Sequence, residues 1–355
     1  MVRDLVPSTP SDTLLELAFW AGVVSILLTL LMALSIMVLR YRLRRAERRE
    51  AYFLAVWRPA LLEVLAGGSV RALPTLARVD QMSFLKYWTY LQESLRGSAS
   101  QTLNQVGFAL KVPQFAQQWL ASGRRSERLL AILALGHLRD KSAWDALFAQ
   151  AVSDDSLVSL QAARALLQID PVRGVQHLMP LLIKRHDWDI NRLAVMLAAS
   201  RSELEGLLSR KITRVDPANM GRLMRLAEAL KLNLPAEVLA YLVDAARPVD
   251  ILVAGLRLVN NAELLPQVRG FAKHTHWTIR VQAVKCLGRI GEPTDVPLLA
   301  EALQDREWWV RYRAAQALAG LPFVTADEMA ALRQNSPDRY AQDILGQVFA
   351  ERVGA

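Results

Sequence analysis

The side chains that could carry chemistry are few and lie far apart in the sequence. The single cysteine, Cys286, cannot form an internal disulfide, and it stands in an apolar-periodic stretch where a small buried residue is expected. This favours a reducing compartment. The one close pair among five histidines is His274 and His276. Residues two apart on a helix point away from each other, so the pair does not predict a metal site.

Motifs of local catalytic machinery are missing as well. The sequence has no glycine-rich phosphate loop, no G-x-S-x-G elbow, no H-E-x-x-H and no histidine suited to activate Cys286. We therefore predict no catalytic, cofactor-binding or metal-binding residues, no cofactor and no small-molecule substrate. The side chains of greatest interest are of the kinds that bind proteins.

Three tryptophans recur three residues before a position that two C-terminal segments fill with arginine. The pairs are Trp188 with Asn191, Trp277 with Arg280, and Trp308 with Arg311. If these positions are equivalent in a repeat array, they form a ridge, and Trp and Arg are frequent interface anchors. We consider Trp188, Trp277, Trp308, Arg280 and Arg311 a candidate protein-binding ridge.

A packing role is the alternative for the same five residues. The indoles would seal the seam between neighbouring repeats, which explains their repetition without a partner. The arginines would form a ladder that satisfies loop carbonyls and carboxylates such as Asp305. The sequence alone leaves both alternatives open.

The N-terminal part predicts a membrane-spanning helix. Leu17 to Leu39 is 23 residues without a charge, which spans roughly 34 Å as a helix and is enough for a bilayer. Thr13 and Glu16 have the spacing of a capping box at its start, and Trp20 suits the membrane interface. A cleaved signal peptide is disfavoured because the preceding residues are not basic and no cleavage site follows.

The residues after this span predict its orientation. Residues 40–50 hold six arginines against two glutamates, a net charge of +4 in eleven residues, whereas the preceding tail has one Arg and two Asp. By the positive-inside rule, the N-terminus lies outside and the bulk of the chain is cytoplasmic. The arginines predicted to set the topology and to contact anionic lipid headgroups are Arg40, Arg42, Arg44, Arg45, Arg48 and Arg49.

The remaining sequence is an all-α protein with internal repeats. Apolar residues recur at helical spacing throughout, and two segments beginning at Trp277 and Trp308 are in register over thirty-one residues. Weaker copies occur upstream. Each helical hairpin has an apolar face too large to bury alone, so six or seven hairpins should stack into an α-α superhelix. We expect Gly136, Gly288, Gly291 and Gly320 to mark helix ends.

The pattern of Ile279 to Asp305 resembles a known repeat. Its I-R-x-x-A-x-x-x-L-G-x-I-G-x-P-x-x-V-P-x-L spacing is similar to the short HEAT-like repeat of phycobilisome lyases, and the whole chain resembles bacterial membrane-anchored HEAT proteins. The resemblance implies a solenoid that binds proteins at the bacterial inner membrane. Some relatives handle a bilin, so an enzyme or cofactor handler of the lyase type is the alternative.

Residues 51–120 and the C-terminus differ from the repeats. Ala51 to Leu65 and Phe84 to Leu95 predict cap helices, and the aromatics of the second cover more than one helix face, so at least one is expected outside the core. Thr325 and Glu328 predict a capping box that begins the closing helices. The mild positive charge after residue 50 has no aromatic-rich basic run, so we expect no nucleic acid partner.

The predicted function is a non-enzymatic, membrane-tethered scaffold with unidentified protein partners. The predicted organisation follows the features above in chain order. It comprises a periplasmic tail (1–12), a transmembrane helix (13–39), a basic juxtamembrane segment (40–50), a helical cap (51–120), HEAT-like repeats (121–323) and capping helices (324–355).

Overall fold

The computed structural model describes residues 10–353, and every regular element in this range is helical. The all-α prediction is therefore confirmed. The described chain forms two compact units, the first ending at Phe115 and the second beginning at Ala116. The predicted tail falls largely outside the described residues, as do the side chains of the predicted Thr13 and Glu16 capping box.

The first unit begins with α1, a single helix of 56 residues from Pro10 to Leu65. The predicted transmembrane helix (13–39) and the predicted cap helix Ala51 to Leu65 both belong to α1, because the basic segment between them is helical too. No Gly or Pro interrupts residues 40–58, which are rich in Arg, Ala, Glu and Leu. These residue types have high helix propensity, so nothing in this stretch ends the helix.

Burial divides α1 into two parts. Its side chains are exposed along residues 17–52, apart from a half-exposed Val23, and its buried face begins at Phe53 and continues through Trp57, Leu61 and Val64. This face packs with α2 (Gln81–Ser94) and α3 (Ser98–Ala109), as in the edge-on contact of Trp57 with Phe84 at 5.1 Å. The spacing of four and three residues is that of one helix face.

The aromatic-rich helix α2 has the expected distribution. Phe84 and Trp88 are fully buried, and the Trp88 indole donates a hydrogen bond of 2.9 Å to the carbonyl of Leu103. Tyr90 is exposed. The prediction that at least one aromatic residue lies outside the core is confirmed. The aromatic residues of α2, which are Phe84, Tyr87, Trp88 and Tyr90, cannot all share one helix face.

The second unit is a stack of helical hairpins. Within the described residues, seven consecutive pairs run from α5 to α18, and α19 follows them. The bounds are α4 Val112–Ser122, α5 Arg125–Leu138, α6 Trp144–Ala151, α7 Ser156–Ile169, α8 Pro171–Lys184, α9 Ile190–Leu197, α10 Arg201–Lys211, α11 Pro217–Ala229, α12 Ala236–Leu242, α13 Val249–Leu258, α14 Leu265–Phe271, α15 Trp277–Ile290, α16 Val296–Ala302, α17 Trp308–Gly320, α18 Ala326–Asn335 and α19 Arg339–Val353.

Contacts between successive first helices hold the stack together. Helix α5 packs on α7, α9 on α11, α11 on α13, α13 on α15, α15 on α17, and α17 on α19. Apart from the step from α7 to α9, each first helix thus packs against the next, as expected for a solenoid with nearest-neighbour contacts. Cys286 lies inside this contact layer and is fully buried, as predicted.

Two of the four glycines predicted to end helices do something else. Gly136 lies inside α5 and Gly288 inside α15. A Cβ on Gly136 would lie 3.0 Å from the Cα of Ala165, and one on Gly288 would lie 2.8 Å from the Cα of Ala317. The helices therefore approach so closely that a methyl group does not fit.

The other two glycines are at helix ends, as predicted. Gly291 is the C-cap of α15, and Gly320 is the last residue of α17. At the far end of the unit, the Thr325 hydroxyl accepts a hydrogen bond of 3.2 Å from the Glu328 N–H, and the Glu328 carboxylate accepts from the Thr325 N–H at 2.8 Å. The predicted capping box at the start of α18 is confirmed.

Candidate protein-binding surface

Trp188 lies inside the second unit and is 1% exposed. Its indole donates a hydrogen bond of 3.0 Å to the hydroxyl of Ser159 in α7. Its backbone carbonyl accepts one of 2.7 Å from the guanidinium of Arg222 in α11. A side chain so enclosed seals the seam between hairpins and is not available to a partner.

Trp277 and Trp308 are at the surface, where they are 38% and 42% exposed. Each is the first residue of its helix, α15 or α17. Trp188 instead precedes the N-cap residue, Asp189, and so lies two positions earlier relative to its helix start. The three tryptophans thus do not occupy equivalent positions, and the predicted ridge does not run through Trp188.

The start of α17 carries a group of three aromatic rings, of which Trp308 and Trp309 are exposed and Tyr312 is half-buried. Trp308 stacks on Tyr312 with ring centres 5.1 Å apart and planes 8° apart, and Trp309 meets Trp308 edge-on at 4.7 Å. Trp309 is 50% exposed. We name Trp308, Trp309 and Tyr312 the α17 aromatic cluster. Sequence reasoning missed Trp309, although two adjacent tryptophans at a helix start were a visible signal.

The two arginines of the predicted ridge act within the fold. Arg280 is 5% exposed, and its guanidinium binds the Asp305 carboxylate with two hydrogen bonds of 2.7 and 2.8 Å. A third nitrogen binds the carbonyls of His274 and Thr275 at 2.9 and 3.0 Å. Arg311 likewise binds the carbonyl of Asp305 at 2.6 Å. These are the contacts that the packing alternative describes.

The electrostatic environment of Asp305 favours its ion pair with Arg280, which joins two repeats. Burial raises the pKa of its carboxyl, but the Arg280 hydrogen bonds and the N–H of Glu307 outweigh that effect, and the pKa lies below its ordinary value of 3.8. The carboxylate therefore stays charged at neutral pH.

A different arginine ties the junction before α9. Arg222 is 6% exposed and binds the carbonyls of Leu182 and Trp188 at 2.8 and 2.7 Å. Burial, and next the neighbouring Arg225, lower the pKa of Arg222. Sequence reasoning missed this residue, because its repeat departs from the pattern and gives no register in which to place it.

The six arginines after the apolar stretch are exposed along α1. Because the helix is continuous, they do not gather at one depth. Arg49 lies about 15 Å beyond Leu39 along the axis, and its guanidinium contacts the Asp80 carboxylate at 3.3 Å.

The groups that could have supported catalysis are occupied or shielded. Burial raises the pKa of the Cys286 thiol to about 11, which suppresses the reactive thiolate. The His274 ring nitrogen accepts a hydrogen bond of 3.0 Å from the backbone of His276. Within residues 10–353, no three His, Cys, Asp or Glu side chains are grouped as a metal site would require.

A cavity of about 510 Å³ lies where α14 and α16 meet the loop after α14. Charged side chains line it, as the enzyme alternative requires of a site. They are engaged with each other, since Lys273 contacts Glu301 at 2.7 Å and Arg280 contacts Asp305. The exposed Lys273–Glu301 pair contributes little to stability, whereas the buried Arg280–Asp305 pair joins neighbouring hairpins.

Comparisons with known proteins agree with the repeat architecture. Residues 112–199 and 235–319 match the family model described as HEAT repeats. A solved structure described as "Crystal Structure of Engineered Protein" is 16% identical and covers 81% of this chain and 88% of its own, with a TM-score of 0.34. That score is too low to support the fold assignment. No curated protein matches the chain.

Proposed function

We propose that this chain is a membrane-tethered scaffold, which anchors through the apolar part of α1 and binds protein partners on its HEAT repeats. The observation that carries the proposal is the exposure of α1. Apart from Val23, its large apolar side chains from Leu17 to Leu39 are 44–69% exposed, and no charge interrupts them. One helix in the described range is thus long and apolar enough to cross a membrane.

The physical reason is the cost of contact with water. An apolar surface of this extent far exceeds what soluble monomers leave exposed, so it requires a lipid or protein environment. A single helix satisfies its own backbone hydrogen bonds and can enter hydrocarbon alone. The arginines that follow would keep the second unit in the cytoplasm.

HEAT repeats support the binding half of the proposal. Stacked hairpins give an extended surface without needing an active site, and tethering raises the local concentration of that surface for partners at the same membrane. The exposed indoles Trp277, Trp308 and Trp309 are the anchors we propose for such a partner.

The tether is tested by charge insertion. Leu27→Glu combined with Leu31→Glu should remove the protein from the membranes that float in a sucrose gradient after alkaline extraction, because charges at the bilayer centre are costly. The matched control is Val152→Glu with Val195→Glu, which places the same charges on exposed apolar sites of the second unit. Flotation of the α1 variant with the membranes would refute the tether.

Orientation is tested by labelling with a membrane-impermeant maleimide. Because Cys286 is buried, new cysteines at Ser11 or Ser336 report on their own locations. Ser11→Cys should be labelled from outside intact cells, whereas Ser336→Cys should be labelled only after lysis. The reverse pattern would show that the second unit is outside.

Partner binding is tested by chemical cross-linking in membranes, gentle solubilisation and mass spectrometry. We expect the same cross-linked proteins from replicate preparations, and fewer of them from Trp308→Ala combined with Trp309→Ala. Recovery of no specific protein would refute the scaffold proposal.

A further inference from the structure

Four cationic side chains lie together on three successive first helices of the second unit. They are Arg257 on α13, Lys285 and Arg289 on α15, and Arg313 on α17, and we name them the cationic row. The Arg289 guanidinium donates to the carbonyls of Leu256, Arg257 and Val259 at 3.1, 3.2 and 3.1 Å. These bonds hold Arg289 at the end of α13, beside Arg257.

Helix packing brings the other two members together. Helices α15 and α17 touch where Gly288 meets Ala317. Lys285 and Arg313 lie about one turn before this contact on the two helices. Burial, and after it the charges of Arg313, Arg257 and Arg289, lower the pKa of Lys285.

Two carboxylates border the four cations: Glu228 lies beside Arg257, and Glu351 accepts a hydrogen bond of 3.1 Å from Tyr312, next to Arg313. Positive charge is therefore still in excess. The Glu228 carboxylate favours the charged form of Lys285. The same carboxylate contacts the Arg257 guanidinium at 3.2 Å. Neighbouring like charges destabilise the folded state. A glutamate at position 285 would instead form ion pairs with the arginines of the adjacent repeats. An anionic partner would explain why the sequence keeps the cations together.

The cationic row adjoins the α17 aromatic cluster. The Arg313 guanidinium lies 5.6 Å from the centre of the Tyr312 ring, which stacks on Trp308. An apolar anchor therefore borders a band of positive charge on the same helix. Aromatic anchors beside arginine are typical of the centre of protein interfaces.

We infer that the cationic row and the α17 aromatic cluster together bind an acidic protein segment with an apolar or aromatic anchor. The carboxylates lie against Arg257, Lys285 and Arg313, and the anchor lies on Trp308 and Trp309. This rests on the proposed scaffold function and names the chemistry of its partner. Four cations over three repeats match a short acidic stretch, whereas a nucleic acid backbone is bound by longer basic surfaces.

The test uses the full chain in nanodiscs of neutral phosphatidylcholine. The probe is a fluorescent peptide of about sixteen residues, with glutamates flanking a central Trp-Pro-Leu, and its control carries glutamine for each glutamate. The acidic peptide should bind roughly ten-fold more tightly than the control, and the difference should shrink with added salt. Equal binding of the two peptides would overturn the inference.

Charge-reversal variants locate the binding site. Lys285→Glu combined with Arg313→Glu should weaken binding of the acidic peptide about ten-fold or more. The matched control is Arg210→Glu combined with Lys211→Glu, the same charge change on exposed residues of α10, and it should leave affinity within about two-fold. Unchanged binding by the first variant would overturn the inference.

Stability and competing ligands complete the test. Lys285→Gln should weaken peptide binding yet raise the Tm slightly, because it removes repulsion that only a partner relieves. A lower Tm with unchanged binding would assign Lys285 a structural role and overturn the inference. The inference would also be overturned if single-stranded oligothymidine or anionic vesicles bound more tightly than the acidic peptide and lost this binding when the cationic row was reversed in charge. Cross-linked partners that persist in the charge-reversal variant would refute this inference alone and leave the scaffold proposal standing.

Discussion

The junctions before α9 and before α17 both have a tryptophan near a helix start, but the first is buried and the second is exposed. At the first, Trp188 lies ahead of the N-cap residue and is enclosed between hairpins. At the second, Trp308 opens the helix and stands at the surface. A shift of two residues therefore decides whether the indole seals a seam or stands at the surface, since it changes the direction in which the side chain leaves the backbone.

The same junctions also differ in how a buried arginine ties them. Before α17, Arg280 is neutralised by the Asp305 carboxylate and also binds two carbonyls. Before α9, Arg222 binds two carbonyls and forms no ion pair with any side chain that the structure describes, although the charges of Asp187 and Asp189 are near enough to favour its charged form. Both contacts join neighbouring hairpins, but only the first contains a buried pair that would leave a charge behind if broken.

Removing the indoles should give the largest contrast. Trp188→Ala should lower the free energy of unfolding by about 3–5 kcal/mol, because it opens a cavity and leaves Ser159 and its surroundings unfilled. Trp309→Ala should stay within about 0.5 kcal/mol. Urea unfolding of the full chain in detergent, followed by far-UV circular dichroism, measures both. Equal losses of unfolding free energy in the two variants would show that the buried and the exposed tryptophan contribute alike to stability.

Replacing the buried arginines should give a smaller contrast. Arg280→Met should cost about 3 kcal/mol, since it leaves the Asp305 carboxylate, whose side chain is 13% exposed, without its cation. Arg222→Met should cost about 1 kcal/mol, because lost hydrogen bonds are offset by removal of a buried unpaired charge. Restoring stability to Arg280→Met with Asp305→Asn would support this account. An Arg222→Met loss as large as that of Arg280→Met would contradict it.

Widening the contact between α15 and α17 should have the smallest effect. Gly288→Ala should destabilise by about 1–3 kcal/mol through overpacking against Ala317. Gly270→Ala, in α14, is the control, since its new Cβ would have no atom within 4 Å, and it should be neutral or stabilising by up to about 1 kcal/mol. Thermal unfolding compares the two variants. A Gly288→Ala protein as stable as the control would mean that the two helices can separate freely.

Periodicity and local motifs carried most of what was predicted about the fold. Helical spacing predicted the stacked hairpins, the capping-box spacing predicted the start of α18, and the burial of Cys286 followed from its apolar surroundings. These features depend on neighbours in sequence or on one helix face. A single chain contains that information directly.

Features that depend on distances between hairpins were missed or misplaced. The spacing role of Gly288 requires the position of Ala317, and the tie formed by Arg222 bridges 40 residues to Leu182. The register of Trp188 depends on where α9 begins, which no strong repeat pattern marks. Of the residues of the predicted ridge, Trp277 and Trp308 are at the surface and Trp188 and Arg280 are inside, and their binding of a partner stays a prediction.

The unbroken course of α1 has a mechanical consequence for the proposed tether. About fourteen residues separate Leu39 from Phe53, the first buried position, and as a helix they form a rod of roughly 21 Å. A rod acts as a lever: tilting the lipid-embedded end by about 20° would swing Phe53 sideways by roughly 7 Å. Bilayer thickness would thereby set how far, and in which direction, the folded part of the first unit reaches along the membrane.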